Sequence, residues 1–552
     1  MRHGGQILVD QLKAHGVRRV FSVPGESFLA ALDGLYDSGI DNVVCRHEGG
    51  AAMMAEAYGK MTGTPGVAFV TRGPGATNAS SGIHVASQDS TPMVLFVGQI
   101  ARDHTDRGAF QEVDYRQMFG GLAKWAAQVN QTERLPEYIN RAFHLAQSGR
   151  PGPVVLALPE DMLSALCDVA TLPPSAPARP GVAQADITAI LDRLAPAKRP
   201  LVVIGGPGWT PQAGADLARF AQTHGLPVVC SFRRQDFMDN RHPNFVGDLP
   251  VGMNPALRKR LGDADTLLLL GTRFGDIATD GYQIVAPADP GKTIIHVHPS
   301  PDEPGTVLRS DLTVTARTGD VLAALARTNG GPGWHDLVAD MRAEYEVWHE
   351  PLETPGDVKL EQVIRHLSDT LPDDAIITNG AGNFAAWVGR YFRFKQHGTQ
   401  IAPTSGSMGY GLPAAVAASL EYPDRPVVCV AGDGDFQMTL NELSTGMQYG
   451  AKVVAIVVNN GRYGTIRAHQ EREYPGRVSG TQMFNPDFAA LARAYGGHGE
   501  TVTRTEDFPA AFARARAAAT MAVIELTLDP EALAPGMTLS AARAAGIGRK
   551  KP

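Results

Sequence analysis

Cysteine, basic charge and long apolar runs are all scarce in this chain of 552 residues. Its four cysteines, Cys45, Cys167, Cys230 and Cys429, are scattered without a C-x-x-C pair, which predicts a reduced, cytoplasmic protein. The formal net charge of −7 leaves no basic excess of the kind that nucleic-acid-binding domains carry. No apolar run approaches the length of a membrane span, and the first residues lead into an amphipathic helix without a signal-peptide pattern. We therefore expect a cytoplasmic globular protein that binds neither nucleic acid nor a membrane.

The length and the pattern of segments predict three α/β domains in a row. At roughly 150 residues per domain, the chain has room for about three. Helical and strand-like segments alternate through residues 1–170, 183–330 and 357–535, and a Pro/Ala-rich stretch at 172–180 separates the first two. Such alternation is typical of doubly wound parallel sheets. Residues 536–552 are expected to form a C-terminal tail or lid.

A Gly-Asp-Gly turn that contains Asp433 is the most informative motif. Residues 427–431 predict a buried strand before the turn, apolar side chains at helical spacing follow from Phe436 to Met447, and residues 452–458 predict the next strand. Because a crossover makes the two strands parallel, Asp433 and Asn460 should lie at one edge of a sheet, where α/β proteins bind anions. Carboxylate and amide oxygens suit Mg²⁺, so the motif predicts a metal-bridged diphosphate.

The turn Gly432-Asp433-Gly434 is followed, after 24 residues, by Asn459-Asn460. This spacing resembles the signature of the thiamine diphosphate-dependent enzymes. The resemblance implies that Asp433 and Asn460 bind Mg²⁺ through their side chains, and that Arg462 binds it through its backbone oxygen.

The same resemblance extends to other residues that would hold the cofactor. Gly406 and Met408 lie in a segment like the one in which a large apolar side chain bends the cofactor and a glycine carbonyl accepts from its 4′-amino group. Asn383 lies in a second diphosphate loop. Gly432, Gly434 and Asp435 belong to the turn itself. Relatives often carry Ser or Ala at Asp435, whose carboxylate is expected to stabilise the first turn of the helix.

A second part of the family pattern lies near the amino terminus. A strand at 43–45 leads towards a helix at 51–61, with Glu48 at the junction. This resembles the glutamate strand of the thiamine-dependent enzymes and implies that Glu48 is catalytic, bonding N1′ of the aminopyrimidine so that the cofactor can lose its C2 proton. Glu26 falls where decarboxylases of the family place an acid.

Further segments match the acetolactate synthase branch especially well, at residues 72–78, 110–112 and 148–153. Gln111 and Lys124 occupy synthase positions near the substrate. The resemblance covers nearly the whole chain and keeps the order of the motifs. It also implies a homodimer or a homotetramer, because relatives build the active site between two subunits.

The helix after Asn460 departs from the family pattern. Synthases place apolar residues and a Trp along it, and pyruvate decarboxylases place a Glu, where this chain has Arg467 and His469. A cation at the mouth of the pocket would suit a substrate with a second anionic group. The alternative is a surface Arg467 paired with Glu471 or Glu473, and the sequence does not separate the two.

The middle domain resembles the one that holds FAD in the synthases, but only part of the pattern is kept. Residues 205–208 and 271–276 retain it, whereas Arg233 and Arg234 stand where apolar contacts are common. FAD is therefore possible rather than required.

Three functions are compatible with the sequence. The leading one is decarboxylation of a 2-oxo acid with carboligation to a second carbonyl compound, as in acetolactate synthase. The second is a simple 2-oxo-acid decarboxylase or C–C lyase, and the third is a non-catalytic thiamine-binding or regulatory subunit. Intact Glu48, Asp433 and Asn460 favour an enzyme over the third.

Overall fold

Three separate parallel sheets, each of six strands, make up the fold. The computed structural model describes residues 1–549. In spatial order, the first sheet consists of Asp41–Val44, Arg19–Ser22, Gly66–Val70, Met93–Gln99, Pro153–Pro159 and Trp125–Gln128. The second consists of Phe245–Leu249, Val228–Ser231, Pro200–Ile204, Thr266–Leu270, Thr293–His298 and Leu312–Thr315. The third consists of Gln400–Ile401, Ile376–Asn379, Val427–Gly432, Val453–Asn459, Ala522–Thr527 and His498–Val502. All neighbouring strands in these sheets run parallel, which confirms the predicted fold class.

Helices cover both faces of each sheet. Around the first sheet these are Gly4–Ala14, Leu29–Leu35, Glu48–Thr62, Pro74–Asp89, Tyr115–Phe119, Leu135–Gln147 and Glu160–Ser164. Around the second they are Gln184–Leu194, Pro211–His224, Pro255–Asp263, Thr318–Leu325 and His335–Trp348. Around the third they are Leu360–Thr370, Phe384–Tyr391, Gly411–Glu421, Asp433–Gln437, Glu442–Gln448, Gly464–Glu473, Phe488–Ala494, Phe508–Ala517 and Leu539–Arg549. As a result, successive side chains of the strand Val453–Asn459 pack in two different hydrophobic cores. Val454 and Ile456 pack on one face of the sheet, and Ala455 and Val457 pack on the other.

The first and third sheets share one hydrophobic core. The helix Glu48–Thr62 packs against the helix Gly411–Glu421, and both contribute buried alanines to the shared core, among them Ala51, Ala55 and Ala415. Small side chains let the two helix backbones approach closely. The contact fixes the start of the first helix, where Glu48 lies, relative to the third sheet.

The structure differs from the sequence prediction after Asp433. The predicted continuous helix is two short helices, Asp433–Gln437 and Glu442–Gln448. The chain turns between them through i→i+3 backbone bonds, and the Thr439 hydroxyl donates to the Gly409 carbonyl. The helical spacing of the apolar side chains did not reveal this break.

The C-terminal tail is ordered up to the last described residue. Ala532–Ala534 and Met537–Thr538 form a small antiparallel ribbon, and the helix Leu539–Arg549 packs on the helix Gly464–Glu473. Residues 550–552 of the predicted tail lie outside the described residues. Among residues 1–549, no helix has the length and apolar character needed to cross a membrane.

Candidate active site

A cavity of about 240 Å³ opens at the carboxyl ends of two neighbouring strands of the third sheet, Val427–Gly432 and Val453–Asn459. Its lining comes only from residues between 381 and 533. The predicted cofactor and metal residues in this lining are Asn383, Gly406, Met408, Gly432, Asp433, Gly434, Asp435, Asn460 and Arg462. Residues that are up to 79 positions apart in sequence thus meet at one edge of a sheet.

Three hydrogen-bond donors of the chain hold the Asp433 carboxylate in place. Its Oδ1 accepts from the backbone nitrogen of Gly434 at 2.9 Å, and its Oδ2 accepts from the Gly461 nitrogen at 2.8 Å and from Asn485 Nδ2 at 2.8 Å. Burial raises the pKa of Asp433, and these hydrogen bonds act in the opposite direction. The carboxylate is therefore oriented before a ligand arrives.

The oxygens gathered beside Asp433 fit a hard divalent cation. Asn460 lies in the same cavity, and its Oδ1 accepts only a 3.2 Å bond from the Arg462 nitrogen, which leaves a lone pair on the amide oxygen. Within the described part of the chain, no three His, Cys, Asp or Glu side chains gather as a metal site. A metal here would depend on amide and backbone oxygens together with Asp433, a donor set that suits Mg²⁺.

Asp435 lies in the first turn of its helix, as predicted, but its carboxylate also accepts hydrogen bonds from neighbouring loops. The helix Asp433–Gln437 has no side-chain cap. Instead, Asp435 Oδ1 accepts from the backbone nitrogens of Gly409 at 2.7 Å and Ala381 at 3.2 Å, while Oδ2 is buried without a partner. Burial raises the pKa of Asp435 to about 7. The side chain reaches two neighbouring loops, which was not evident from its place in the motif.

Asn383 and Gly406 lie on opposite loops of the cavity. The Asn383 Oδ1 accepts from the Thr465 hydroxyl at 2.9 Å, so it is already engaged by the helix Gly464–Glu473. Gly406 has φ +66°, a conformation that favours glycine, and it presents its backbone on an open turn beside Met408. These positions fit the predicted contacts, which remain predictions.

Glu48 is the first residue of its helix and does not line this cavity. Its Oε2 accepts from Asn78 Nδ2 at 2.9 Å. The preceding backbone nitrogens of Arg46 and His47 donate to Glu442 of the third sheet's unit at 3.1–3.3 Å. Within one chain, therefore, Glu48 and the Asp433 cavity are separate features.

The structure does not gather the other predicted residues of the first sheet's unit around Glu48, since Lys124 precedes the strand Trp125–Gln128 and so lies at the amino edge of the parallel sheet, whereas Glu48 follows the carboxyl end of the strand Asp41–Val44. Gln111 has φ +66° and packs against Gly73, with a buried Oε1 that has no partner. Glu26 is exposed, and one of its carboxylate oxygens lies 3.4 Å from Arg72. Lys124 Nζ donates to the carbonyls of Leu145 and Ser148 at 2.6 and 2.7 Å, and burial lowers its pKa to about 8. In this chain Lys124 therefore points at backbone carbonyls.

Arg467 and His469 do not line the cavity, in contrast to the interpretation of Arg467 as a cation at its mouth. Arg467 is buried, not on the helix surface, and its Nη2 donates to Glu471 Oε1 at 2.5 Å. Glu471 also accepts two bonds of 2.8 Å from Arg543. His469 is exposed. The side chain of this helix that does line the cavity is Ile466, beside Thr465.

Sequence reasoning missed several residues that shape the site. Asn485 orients Asp433, Asn78 orients Glu48, and Leu533 of the C-terminal ribbon closes one wall of the cavity. Asn78 belongs to the segment 72–78, whose resemblance to the synthases was a usable signal. Asn485 and Leu533 lie far along the chain from the motifs, in segments without a distinctive pattern.

A second, larger cavity of about 530 Å³ lies between the three units. The glycine-rich turn at 206–208 and the start of the helix Pro211–His224 form one side, and Arg234, Arg317 and Arg425 bring positive charge. The Trp209 and Phe237 rings stack at 4.8 Å beside it. A glycine-rich turn before a helix, with several cations, fits a diphosphate-bearing ligand.

Comparison with known proteins agrees with this geometry. Residues 2–118 match the N-terminal TPP-binding domain of the thiamine pyrophosphate enzymes, residues 187–325 their central domain, and residues 380–526 their C-terminal TPP-binding domain. The chain therefore belongs to the thiamine pyrophosphate enzyme family, and thiamine diphosphate is its cofactor.

Similar proteins within this family include several acetolactate synthases. The large subunit of acetolactate synthase isozyme 2 from Escherichia coli is 32% identical over 512 residues, 92% of each chain. The isozyme 3 large subunit from the same organism is 33% identical, covering 92% of this chain and 91% of its own. The mitochondrial catalytic subunit of Saccharomyces cerevisiae is 32% identical over 92% of this chain and 78% of its own. The acetolactate synthase-like resemblance drawn from the sequence is confirmed.

Proposed function

We propose that this protein decarboxylates a 2-oxo acid and joins the product to a second carbonyl compound, in the manner of acetolactate synthase. The observation that carries the proposal is end-to-end similarity of about 32% to acetolactate synthase large subunits, with oxygen donors gathered at the Asp433 cavity. When bound, thiamine diphosphate supplies the carbon nucleophile. The chain's own residues would bind the cofactor, orient it and assist its proton transfers.

The proposed binding roles follow from the lining of the cavity. Asp433, Asn460 and the backbone oxygen of Arg462 would hold Mg²⁺. The diphosphate would lie on the turn at 432–435 and near Asn383, and Met408 and the Gly406 carbonyl would contact the rings. Roles for Lys124, Arg467 and His469 at the substrate remain predictions. Because Arg467 is already paired with Glu471, Ile466 is the better candidate for a direct substrate contact.

The active site is proposed to need two copies of the chain. The Asp433 cavity has no lining residue from the unit that carries Glu48. Three large apolar side chains at or near the cavity are exposed. Ile466 lines it and is 54% exposed, while Met438 and Phe484, close in sequence to Asp435 and Asn485, are 51% and 97% exposed. On the first unit, Phe110, next to Gln111, is 75% exposed. A second copy that covers these side chains would bring its Glu48 to this cavity.

Mixing two inactive variants tests this arrangement. Glu48→Gln and Asp433→Ala subunits, unfolded and refolded together, would form mixed dimers in which one of the two sites has both residues. We expect about a quarter of wild-type activity in a statistical mixture. No recovery, with mixed dimers demonstrated by differently tagged subunits, would contradict a site shared between subunits.

FAD is proposed as a candidate ligand of the 530 Å³ cavity, because its glycine-rich turn and its arginines fit a dinucleotide diphosphate. A flavin absorbance spectrum of the purified protein, and its titration with FAD, tests this directly. Absence of both signals would leave thiamine diphosphate and Mg²⁺ as the cofactors.

Product analysis tests the reaction. With pyruvate, Mg²⁺ and thiamine diphosphate, the proposed carboligation gives acetolactate, whereas a simple decarboxylase gives acetaldehyde. A panel of 2-oxo acids, each with and without a second carbonyl compound, extends the assay to other donors and acceptors. Release of CO₂ without a ligated product from every pair would overturn the carboligase assignment in favour of the decarboxylase.

A further inference from the structure

The segment at 402–410 carries both Gly406 and Met408, and it is bonded to side chains from all three units of the fold. At its start, Lys60 Nζ donates to the Ala402 carbonyl at 3.1 Å, and Arg233 Nη1 donates to the Pro403 carbonyl at 2.7 Å. The nitrogen of Thr404 donates to Asp89 Oδ1 at 2.8 Å, and its hydroxyl donates to the same oxygen.

The other end of the segment is bonded just as closely. The Tyr410 hydroxyl donates to Glu56 Oε2 at 2.5 Å. The Gly409 nitrogen donates to Asp435, and its carbonyl accepts from Thr439 at 2.7 Å. Between these two anchored ends, the residues that face the Asp433 cavity lie on a turn with positive φ at Gly406 and Gly409. The turn thus depends on its ends for its position.

Several charged side chains are buried beside the 402–410 segment, and most of them are paired with a side chain of opposite charge. Asp89 is paired with Lys60, and Arg234 Nη2 lies 4.0 Å from it and donates to its backbone carbonyl at 3.3 Å. Burial would raise the pKa of Asp89, but the charges of Lys60 and Arg234 outweigh it and the pKa is lowered. Asp89 is therefore an anion that accepts from the 402–410 segment.

Arg233 is the unusual member of the group. It lies in the second sheet's unit, is 7% exposed and has φ +59°, a left-handed conformation that is costly for a residue with a β-carbon. Within residues 1–549 no ion pair of 4 Å or less joins its guanidinium to a carboxylate, although the charges of Asp89 and Asp435 act on it, and its hydrogen bond goes to the Pro403 carbonyl. A buried cation in a strained conformation, with a carbonyl as its hydrogen-bond acceptor, is expected to have a role in placing that carbonyl.

We propose that Arg233 and Asp89 are positioning residues that fix the 402–410 segment, and through it Gly406 and Met408, at the cofactor. The proposal rests on the proposed function, since it assigns these two residues to the thiamine diphosphate site. Both lie outside the cavity lining and act through the segment. The middle unit contributes no residue to the cavity lining, so Arg233 would give this unit an indirect part in positioning the cofactor.

Arg233→Met is the decisive variant, because it removes the donor to Pro403 while Asp89 keeps Lys60 as its ion-pair partner. Arg233→Lys is the conservative rescue, and Thr404→Val, which removes one hydroxyl, is the second test if Arg233→Met folds poorly. Arg241→Met is the matched control: Arg241 also joins the middle unit to the third, through a 2.8 Å bond to Asp373, but it does not touch the 402–410 segment.

The first measurement needs no cofactor. Hydrogen–deuterium exchange of the peptide covering 402–410 should be about tenfold faster in Arg233→Met than in wild type, with the peptide covering 427–432 unchanged. Arg241→Met should leave both peptides at the wild-type rate. Unchanged exchange of the 402–410 peptide in Arg233→Met and in Thr404→Val would overturn the proposal.

The second measurement uses the loaded protein. Thiamine diphosphate should still bind Arg233→Met in the presence of Mg²⁺, since the proposed Mg²⁺ residues Asp433, Asn460 and Arg462 do not contact Arg233, and the loss of its charge near Asp435 should weaken binding less than Asp435→Ala does. Its near-ultraviolet circular dichroism should change, and exchange of its C2 proton should slow on the order of 10²-fold, the cost of roughly 1 Å of misplacement. Arg233→Lys should recover part of the loss.

The two measurements separate failure of this proposal from failure of the proposed function. Wild-type protein that does not bind thiamine diphosphate contradicts the proposed function. If wild-type protein binds thiamine diphosphate and exchanges its C2 proton, and Arg233→Met shows the same dichroism and the same exchange rate, only the positioning role is contradicted.

Discussion

Gly380 faces the buried carboxyl of Asp435 so closely that the two positions should be energetically coupled. A β-carbon added to Gly380 would lie 2.0 Å from Asp435 Oδ1 and 2.6 Å from both Cγ and Oδ2. The carboxyl cannot move aside freely, because Oδ1 accepts from the Gly409 and Ala381 nitrogens. Gly380→Ala is therefore expected to destabilise the site by about 1–3 kcal/mol, the usual cost of overpacking a filled core.

The assay is the affinity for thiamine diphosphate in the presence of Mg²⁺, measured by titration calorimetry, which avoids the unfolding of a protein with three units. A loss of 1–3 kcal/mol corresponds to roughly 5- to 150-fold weaker binding. Asp435→Ala alone should also weaken binding, because it leaves two buried backbone donors without their acceptor. The control is Gly121→Ala, since a β-carbon there meets no atom within 4 Å.

The double variant decides whether the reasoning is correct. Asp435→Ala removes all three atoms nearest to the added β-carbon. Gly380→Ala should therefore cost little in that background, with a favourable coupling energy of at least about 1 kcal/mol. Additive losses within about 0.5 kcal/mol would refute the proposed overlap.

Three further predictions concern single residues. Glu48→Gln should keep cofactor affinity but lower turnover by roughly 10²–10⁴-fold, through loss of acid–base chemistry, so a fully active variant would overturn the assignment. Asp433→Ala should abolish Mg²⁺-dependent binding of thiamine diphosphate, and a titration with the same Kd as wild type would contradict its role as a ligand. Hydrogen bonds from Arg543, opposed by burial, lower the pKa of Glu471 from 4.5 to about 2. The stabilisation from this folded-state pKa is present above pH 4.5 and is lost as pH falls towards 2, so the helix Leu539–Arg549 should lose exchange protection over that range. Arg543→Gln should remove most of this pH dependence, and an unchanged profile would disprove it.

Local signals predicted the parts of the site that depend on one crossover. The strand before Asp433, the strand before Asn460 and their parallel pairing all follow from apolar runs separated by a turn. Both residues line one cavity for that reason. The three-sheet fold could be predicted in the same way, from repeated alternation of helices and strands.

The remaining features depend on tertiary contacts between distant residues. Asp435 bonds to Gly409 and Ala381, which lie 26 and 54 positions away. Arg467 is buried with Glu471 as its ion-pair partner, and Glu471 is also bound by Arg543, which lies in the C-terminal helix, 72 positions beyond Glu471. Neither periodicity nor the spacing of motifs contains this information.

The hydrogen bond from Arg233 to the Pro403 carbonyl limits which units can be exchanged between members of the family. Donor and acceptor are 170 positions apart and belong to different units. A chimaera that takes its middle unit from a relative with an apolar side chain at this position would keep every residue that lines the Asp433 cavity and still lack the donor. Recombination between members of the family is therefore constrained at this one contact, even where each exchanged unit folds correctly.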